Sequence, residues 1–215
     1  MDSVTARMVM RAPARDYATL EQRCRERLAV RLVSSLAVRP LEPHRAARRL
    51  RSVPQTEHDA RADVLLVCSA GGHLFQLHLL RDAWEGLSHS WVTLDKEDSR
   101  SLLADQRVVF AHGPTTRNLP NLIRNFALAW RTLRRLRPKV IVTTGAAIAV
   151  PFAWLGRVLN IRVVYIESLT RTEKPSLSCR LVAPVTDIVY VQWPELVGAV
   201  RGARYSGSVL GPTAG

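Results

Sequence analysis

The stretch VLLVCSAGGHLFQL, residues 64–77, decides the fold. Apolar residues of strand length run without polar alternation into a turn of small residues, Cys68 to Gly72, and then into a segment with Leu74 and Leu77 at helical spacing. Such a run suits a strand covered on both faces, as in a parallel sheet. Gly71 and Gly72 allow the tight turn that lets a helix begin near His73. The segment reads as strand, loop and helix of an α/β sheet.

Most phosphate-handling motifs fail at this loop. A cysteine phosphatase needs an arginine at the position held by Leu74, and no Gly-Lys-Ser/Thr follows to make a Walker loop. The pattern G-x-G-x-x-G is absent, because Gly71-Gly72 leads into His73, Leu74 and Phe75, and Ser69 lacks the flanking glycines of a nucleophile elbow. Two readings remain. The glycines make a plain turn, or they form a cradle in which Ser69, Gly71 and Gly72 meet a phosphate or diphosphate through backbone N–H groups and the helix dipole, with His73 at its lip.

Outward from this loop, Val64–Cys68, Trp91–Leu94, Arg107–Phe110, Val140–Thr143, Val163–Ile166 and Ile188–Val191 read as strands, and the intervals mostly leave room for helices. The expectation is one α/β domain over residues 63–210, a doubly wound, Rossmann-like parallel sheet. Ligands of such sheets bind beyond the carboxyl ends of the strands. Those ends carry Thr143, Thr144 and Gly145 in VIVTTGAAIAVPFAWL, Glu167 and Ser168 in VVYIES, and Gln192, Trp193 and Glu195 in VYVQWPEL. Small residues after Thr144 are expected to let a ligand approach the backbone. Trp193 before Pro194 suits either the cleft or the core.

The 215 residues carry a formal charge of +13, which implies an anionic partner: nucleic acid, an anionic membrane surface or a phosphorylated substrate. An aromatic share of 6% offers little base-stacking surface, which disfavours nucleic acid. Cys24, Cys68 and Cys179 are too few and scattered for a disulfide framework or zinc site, so no metal and a reducing cytoplasm are expected. No stretch reads as a membrane span, since Val140–Leu155 is short and broken by Gly145 and Pro151.

Residues 1–62 differ from the rest, with thirteen arginines, seven acids and no glycine. They read as a basic arm, partly helical or disordered, with one amphipathic helix marked by Leu20, Cys24, Leu28 and Leu32. A second basic region is sharper: between Gln106 and Ile166 there are ten Lys or Arg and no acid. In LPNLIRNFALAWRTLRRLRPK, residues 119–139, Leu119, Leu122, Ile123, Phe126, Trp130 and Leu133 share a helical stripe, and Arg124, Arg131 and Arg135 share another face. Such a helix suits an anionic bilayer, or else packs on the core with a solvated basic face.

The motifs CSAGGHLFQL, TTGAAIAVPFA, YIESLTR and DIVYVQWPEL, in this order, resemble the acceptor-binding subunit of two-part glycosyltransferases. Eukaryotic relatives add the second N-acetylglucosamine to a dolichol diphosphate sugar; bacterial relatives of the PssD and CpsF type make polysaccharides. The Gly-Gly-His loop also resembles that of MurG, a single chain holding both halves of a GT-B fold. The resemblance implies the amino-terminal, acceptor half of a GT-B enzyme, peripheral at the cytoplasmic membrane face. It implies an inverting transferase that extends a polyprenyl diphosphate-linked sugar without a cofactor, the nucleotide sugar, UDP-linked, being held by a partner subunit. His73 is then the base or a diphosphate ligand and Glu167 the competing base; Thr144, Gly145 and Ser168 contact the acceptor, and Gln192, Trp193 and Glu195 shape the cleft or the subunit interface. Residues 206–215 are expected to form a tail that docks on the partner. A self-contained nucleotide-sugar enzyme and a basic nucleic-acid-binding protein are the alternatives.

Overall fold

The computed structural model describes residues 61–115 and 118–210. Over them the chain forms β1 (Val64–Val67), α1 (Gly72–His78), β2 (His89–Leu94), α2 (Glu97–Leu102), β3 (Val108–Ala111), α3 (Leu119–Leu136), β4 (Val140–Thr143), α4 (Ala149–Val158), β5 (Arg162–Ile166), α5 (Leu177–Val182), β6 (Ile188–Val191) and β7 (Ala203–Tyr205). The helix expected around Leu20 to Leu32 lies outside the described residues, with the rest of residues 1–60 and residues 211–215.

The seven strands are all parallel, in the order β3-β2-β1-β4-β5-β6-β7. The doubly wound, Rossmann-like sheet is therefore as expected, and β4 and β6 fall on the residues read from the sequence. β7 was not foreseen, because Ala-Arg-Tyr has no apolar run; it survives as an edge strand paired only with β6. The sequence runs outward from β1 in both directions, so the topological switch point lies between β1 and β4.

Strand alternation splits the core in two. Val64, Leu66 and Cys68 face α1, meeting Leu74, Leu77 and Trp84, whereas Leu65 and Val67 face the side of α3, α4 and α5. On that second side α3 turns its polar and small residues inward: Asn121, Asn125, Ala129 and Thr132 are buried with Leu133 and Leu136. Asn125 explains part of this, since its amide donates to the His112 carbonyl at 3.0 Å and accepts from the His112 N–H at 2.9 Å. Asn121 donates to Pro114 O at 2.9 Å. Of the apolar stripe read from the sequence only Leu133 is buried, while Leu119 and Ile123 stay 66% and 63% exposed.

The carboxyl-terminal segment corrects another expectation. Val209, expected in a docking tail, is buried in the α1-side core, and its N–H donates to Gln192 Oε1 at 2.9 Å. Ser208 is buried too, so residues 206–209 are part of the domain rather than a tail.

Candidate functional site

His73 sits in the first turn of α1, just past the end of β1, and Thr144 just past the end of β4, so the two flank the switch point. The fully buried Thr144 hydroxyl donates to the His73 carbonyl at 2.9 Å and ties the two loops together. Thr144 is thus a strut under His73 and not the surface contact expected of it. Gly145 has φ +99°, and a β-carbon there would collide with the Tyr165 hydroxyl and come within 3.1 Å of Ser178 Oγ. The small residue makes room for Tyr165, not for a ligand. Tyr165 in turn shares hydrogen bonds of 3.1 Å with Ser176 and Ser178.

The His73 ring is half-buried, and its buried Nδ1 has no hydrogen-bond partner among the described residues. Burial holds its pKa below the ordinary imidazole value; the Thr144 backbone and the Glu167 carboxylate pull the other way, and Arg171 adds to the lowering. An imidazole held neutral near neutral pH is ready to accept a proton.

Glu167 is fully buried at the end of β5, and its carboxylate closes the loop that follows. One oxygen accepts from Ser168 N–H at 2.8 Å; the other accepts from Ser176 N–H at 2.9 Å and from Ser176 Oγ at 3.2 Å. Gln76 of α1, also buried, donates to the Glu167 carbonyl at 2.8 Å and accepts from Leu169 N–H at 3.2 Å. Trp193 Nε1 donates to the Leu169 carbonyl at 2.8 Å. The loop from Ser168 to Pro175 is therefore held at both ends and at Leu169. Sequence reading missed Gln76 and Arg171. The signal for Gln76 was a polar residue amid the buried Leu74 and Leu77; Arg171 carried none outside its motif.

The glycine loop itself is not an open cradle. Gly71 has φ +74°, and its N–H donates to Asp98 Oδ2 at 2.6 Å, so a carboxylate from the first turn of α2 already occupies that donor. Ser69 Oγ makes only a 3.4 Å contact with the next carbonyl, and Gly72 is exposed. Burial pushes the Cys68 thiol up to about 12, which leaves it an inert core residue. Ser168 is half-buried, its hydroxyl 3.0 Å from that of Thr170. Gln192 is fully buried against Val209 and offers no cleft surface, whereas Glu195 is exposed on the 3-10 turn Pro194–Ala199. Among the described residues no cluster of three or more His, Cys, Asp or Glu is placed to hold a metal. A depression lined by His78, Trp84, His89, Trp91 and Gln106 opens at the opposite, amino-terminal edge of the sheet, away from His73.

Residues 107–209 match the family model described as "Oligosaccharide biosynthesis protein Alg14 like". That segment contains α3, Thr144, Glu167, the loop after it and Trp193. The chain is related to the Alg14-like proteins. The UDP-N-acetylglucosamine transferase subunit ALG14 of Eremothecium gossypii is 40% identical over 100 residues, 41% of this chain and 45% of that protein. The UDP-N-acetylglucosamine--N-acetylmuramyl-(pentapeptide) pyrophosphoryl-undecaprenol N-acetylglucosamine transferase of Prochlorococcus marinus is 26% identical over 151 residues, 66% of this chain and 42% of that protein. That span is too long to fit within 107–209, so the likeness extends toward the glycine loop. The chain spans less than half the length of these relatives. The fold matches the crystal structure of Acinetobacter baumannii MurG with a TM-score of 0.56 at 16% identity, over 70% of this chain and 47% of that one. The Alg14-like segment and the MurG-like fold thus coincide on one Rossmann-like sheet.

Proposed function

We propose that this chain is the acceptor-binding subunit of a two-component inverting glycosyltransferase. It extends a polyprenyl diphosphate-linked sugar with a nucleotide sugar, UDP-linked, that a partner subunit holds. The observation that carries this is His73, half-buried and kept neutral at the switch point of a sheet whose second half matches the Alg14-like model. The word "subunit" in the name of the Eremothecium protein supports a partner, and the names of both relatives support transfer from a UDP-sugar.

In this mechanism the acceptor hydroxyl attacks the anomeric carbon opposite the leaving UDP, the C–O bond to UDP breaks with its electron pair, and the His73 imidazole takes the hydroxyl proton. Glu167 is not the base, since both carboxylate oxygens are buried and spent on the loop. The domain covers residues 61–210, since Ala62 is buried in the α3-side core and its N–H donates to the Leu136 carbonyl at 3.1 Å. Residues 1–60 are left as the basic arm, and residues 211–215, with Trp193 and Glu195, are left for the partner.

The domain rests on the cytoplasmic membrane face through α3, α4 and α5. These helices carry Arg124, Arg131, Arg134, Arg135, Arg157 and Arg180 and no acid. Beside the arginines Ile123, Trp154, Val158 and Leu177 are exposed apolar residues. Basic residues with apolar neighbours suit an anionic bilayer better than nucleic acid. No helix among the described residues is long and apolar enough to cross a membrane.

The test is transfer by the complex with its donor subunit. General-base catalysis contributes about 10²- to 10⁴-fold, so His73→Ala loses that factor in kcat while acceptor binding is retained. Wild-type turnover by a folded His73→Ala complex removes the base assignment.

A further inference from the structure

The loop between β5 and α5 is held by side chains from three separated parts of the chain, and what it presents at its turn is a cation. Leu169 has both backbone groups satisfied by side chains, its N–H by Gln76 Oε1 and its carbonyl by Trp193 Nε1. Glu167 fastens the loop's two ends. Between these anchors Arg171 N–H donates to the Ser168 carbonyl at 3.0 Å, which closes a tight turn and fixes the position of Arg171 in the chain. The Arg171 side chain is exposed, and among the described residues its guanidinium has no ion pair or hydrogen bond. The loop is held against α1 by Gln76, one helical turn from His73, through the Glu167 carbonyl and the Leu169 N–H, which sets Arg171 two residues from that anchor.

A loop tied this tightly around an unpaired arginine places a phosphate-binding donor at the edge of the reacting centre. We propose that Arg171 binds the anionic, phosphate-bearing group of the acceptor, and that Gln76 is a positioning residue that acts through it by holding Leu169. This rests on the acceptor-binding reading above and adds two residues to it. The energetic reason is pre-organisation: an arginine on a loose loop must be ordered at binding, and the anchors meet that entropy cost on folding.

The experiment is a double-mutant cycle on the full chain, with geranyl diphosphate as the probe and its dissociation constant as the readout. Wild type binds the probe, and Arg171→Ala weakens binding by about tenfold or more, the loss typical of a charge-assisted contact. Gln76→Ala weakens it by a similar factor, yet adds less than about twofold in the Arg171→Ala background, because residues that act through one contact are not additive. A residue with a merely structural role would weaken both backgrounds equally. Thermal unfolding checks that each variant is folded. If Gln76→Ala fails to fold, Trp193→Phe replaces it in the cycle, since it keeps the ring and removes only the donor to Leu169. Arg171→Ala binding as tightly as wild type overturns this inference and leaves the acceptor reading standing; additive losses overturn the positioning role. Wild type without affinity for the probe overturns the acceptor reading itself, and this inference with it.

Discussion

Burial keeps the His73 imidazole neutral where an exposed imidazole would be partly protonated, and this sets the sign of the pH dependence. A general base works in its deprotonated form, and the folded-state pKa is lowered, so kcat/KM should stay level through neutral pH. It should fall only as pH drops through a value below the ordinary imidazole pKa of 6.5. A pH-rate profile whose acid limb is centred above that value contradicts the assignment. Gly145 gives a second test at this scale. Its φ of +99° and the Tyr165 hydroxyl in the path of a β-carbon mean that Gly145→Ala costs about 2 kcal/mol or more, read as a lower unfolding midpoint. An unchanged midpoint would show that the loop relaxes freely. His73 was legible in the sequence because a glycine turn after an apolar run marks a strand-helix junction. The strut from Thr144 and the clamp from Gln76 were not, because their hydrogen bonds join residues 71 and 91 positions apart. No local pattern records which carbonyl a buried hydroxyl or amide will find.

At the scale of elements, α3 shows what periodicity gives and what it omits. The spacing of Leu119, Ile123 and Trp130 correctly places them together on one face, but it does not say which way that face points. Here the inward face is chosen by Asn121 and Asn125, which satisfy backbone groups of the β3–α3 loop at His112 and Pro114. Leaving those groups unpaired would cost more than burying an isoleucine gains. The outward apolar face is then available to a bilayer, with Arg124, Arg131 and Arg135 exposed beside it. Each basic residue near an anionic surface contributes about 1 kcal/mol, so reversing all three to Glu should lower the partition onto phosphatidylserine vesicles by at least about 100-fold. Flotation unchanged by this triple reversal would mean that another surface anchors the chain. The strands, by contrast, were almost wholly legible, since uninterrupted apolar runs buried on both faces have few alternative uses in a chain of this length.

For the whole molecule, the sheet ends at β7 but the α1-side core is completed by Val209, beyond the last strand. Its side chain is buried in the α1-side core and its N–H donates to Gln192 Oε1, contacts that a segment without a regular pattern does not announce in the sequence. Val209→Ala should destabilise the domain by about 2 kcal/mol, and truncation after Tyr205 by more, in thermal or urea unfolding. Truncation without loss of stability would restore the tail reading. On the proposed function, this chain provides the acceptor wall and the base but depends on a partner for the nucleotide sugar. The most direct measurement is transfer from UDP-N-acetylglucosamine to a polyprenyl diphosphate-linked sugar by the purified chain, with and without the donor subunit. The predicted result is no turnover alone, turnover with the donor subunit, and loss of that turnover in His73→Ala; robust turnover by the chain alone would contradict it.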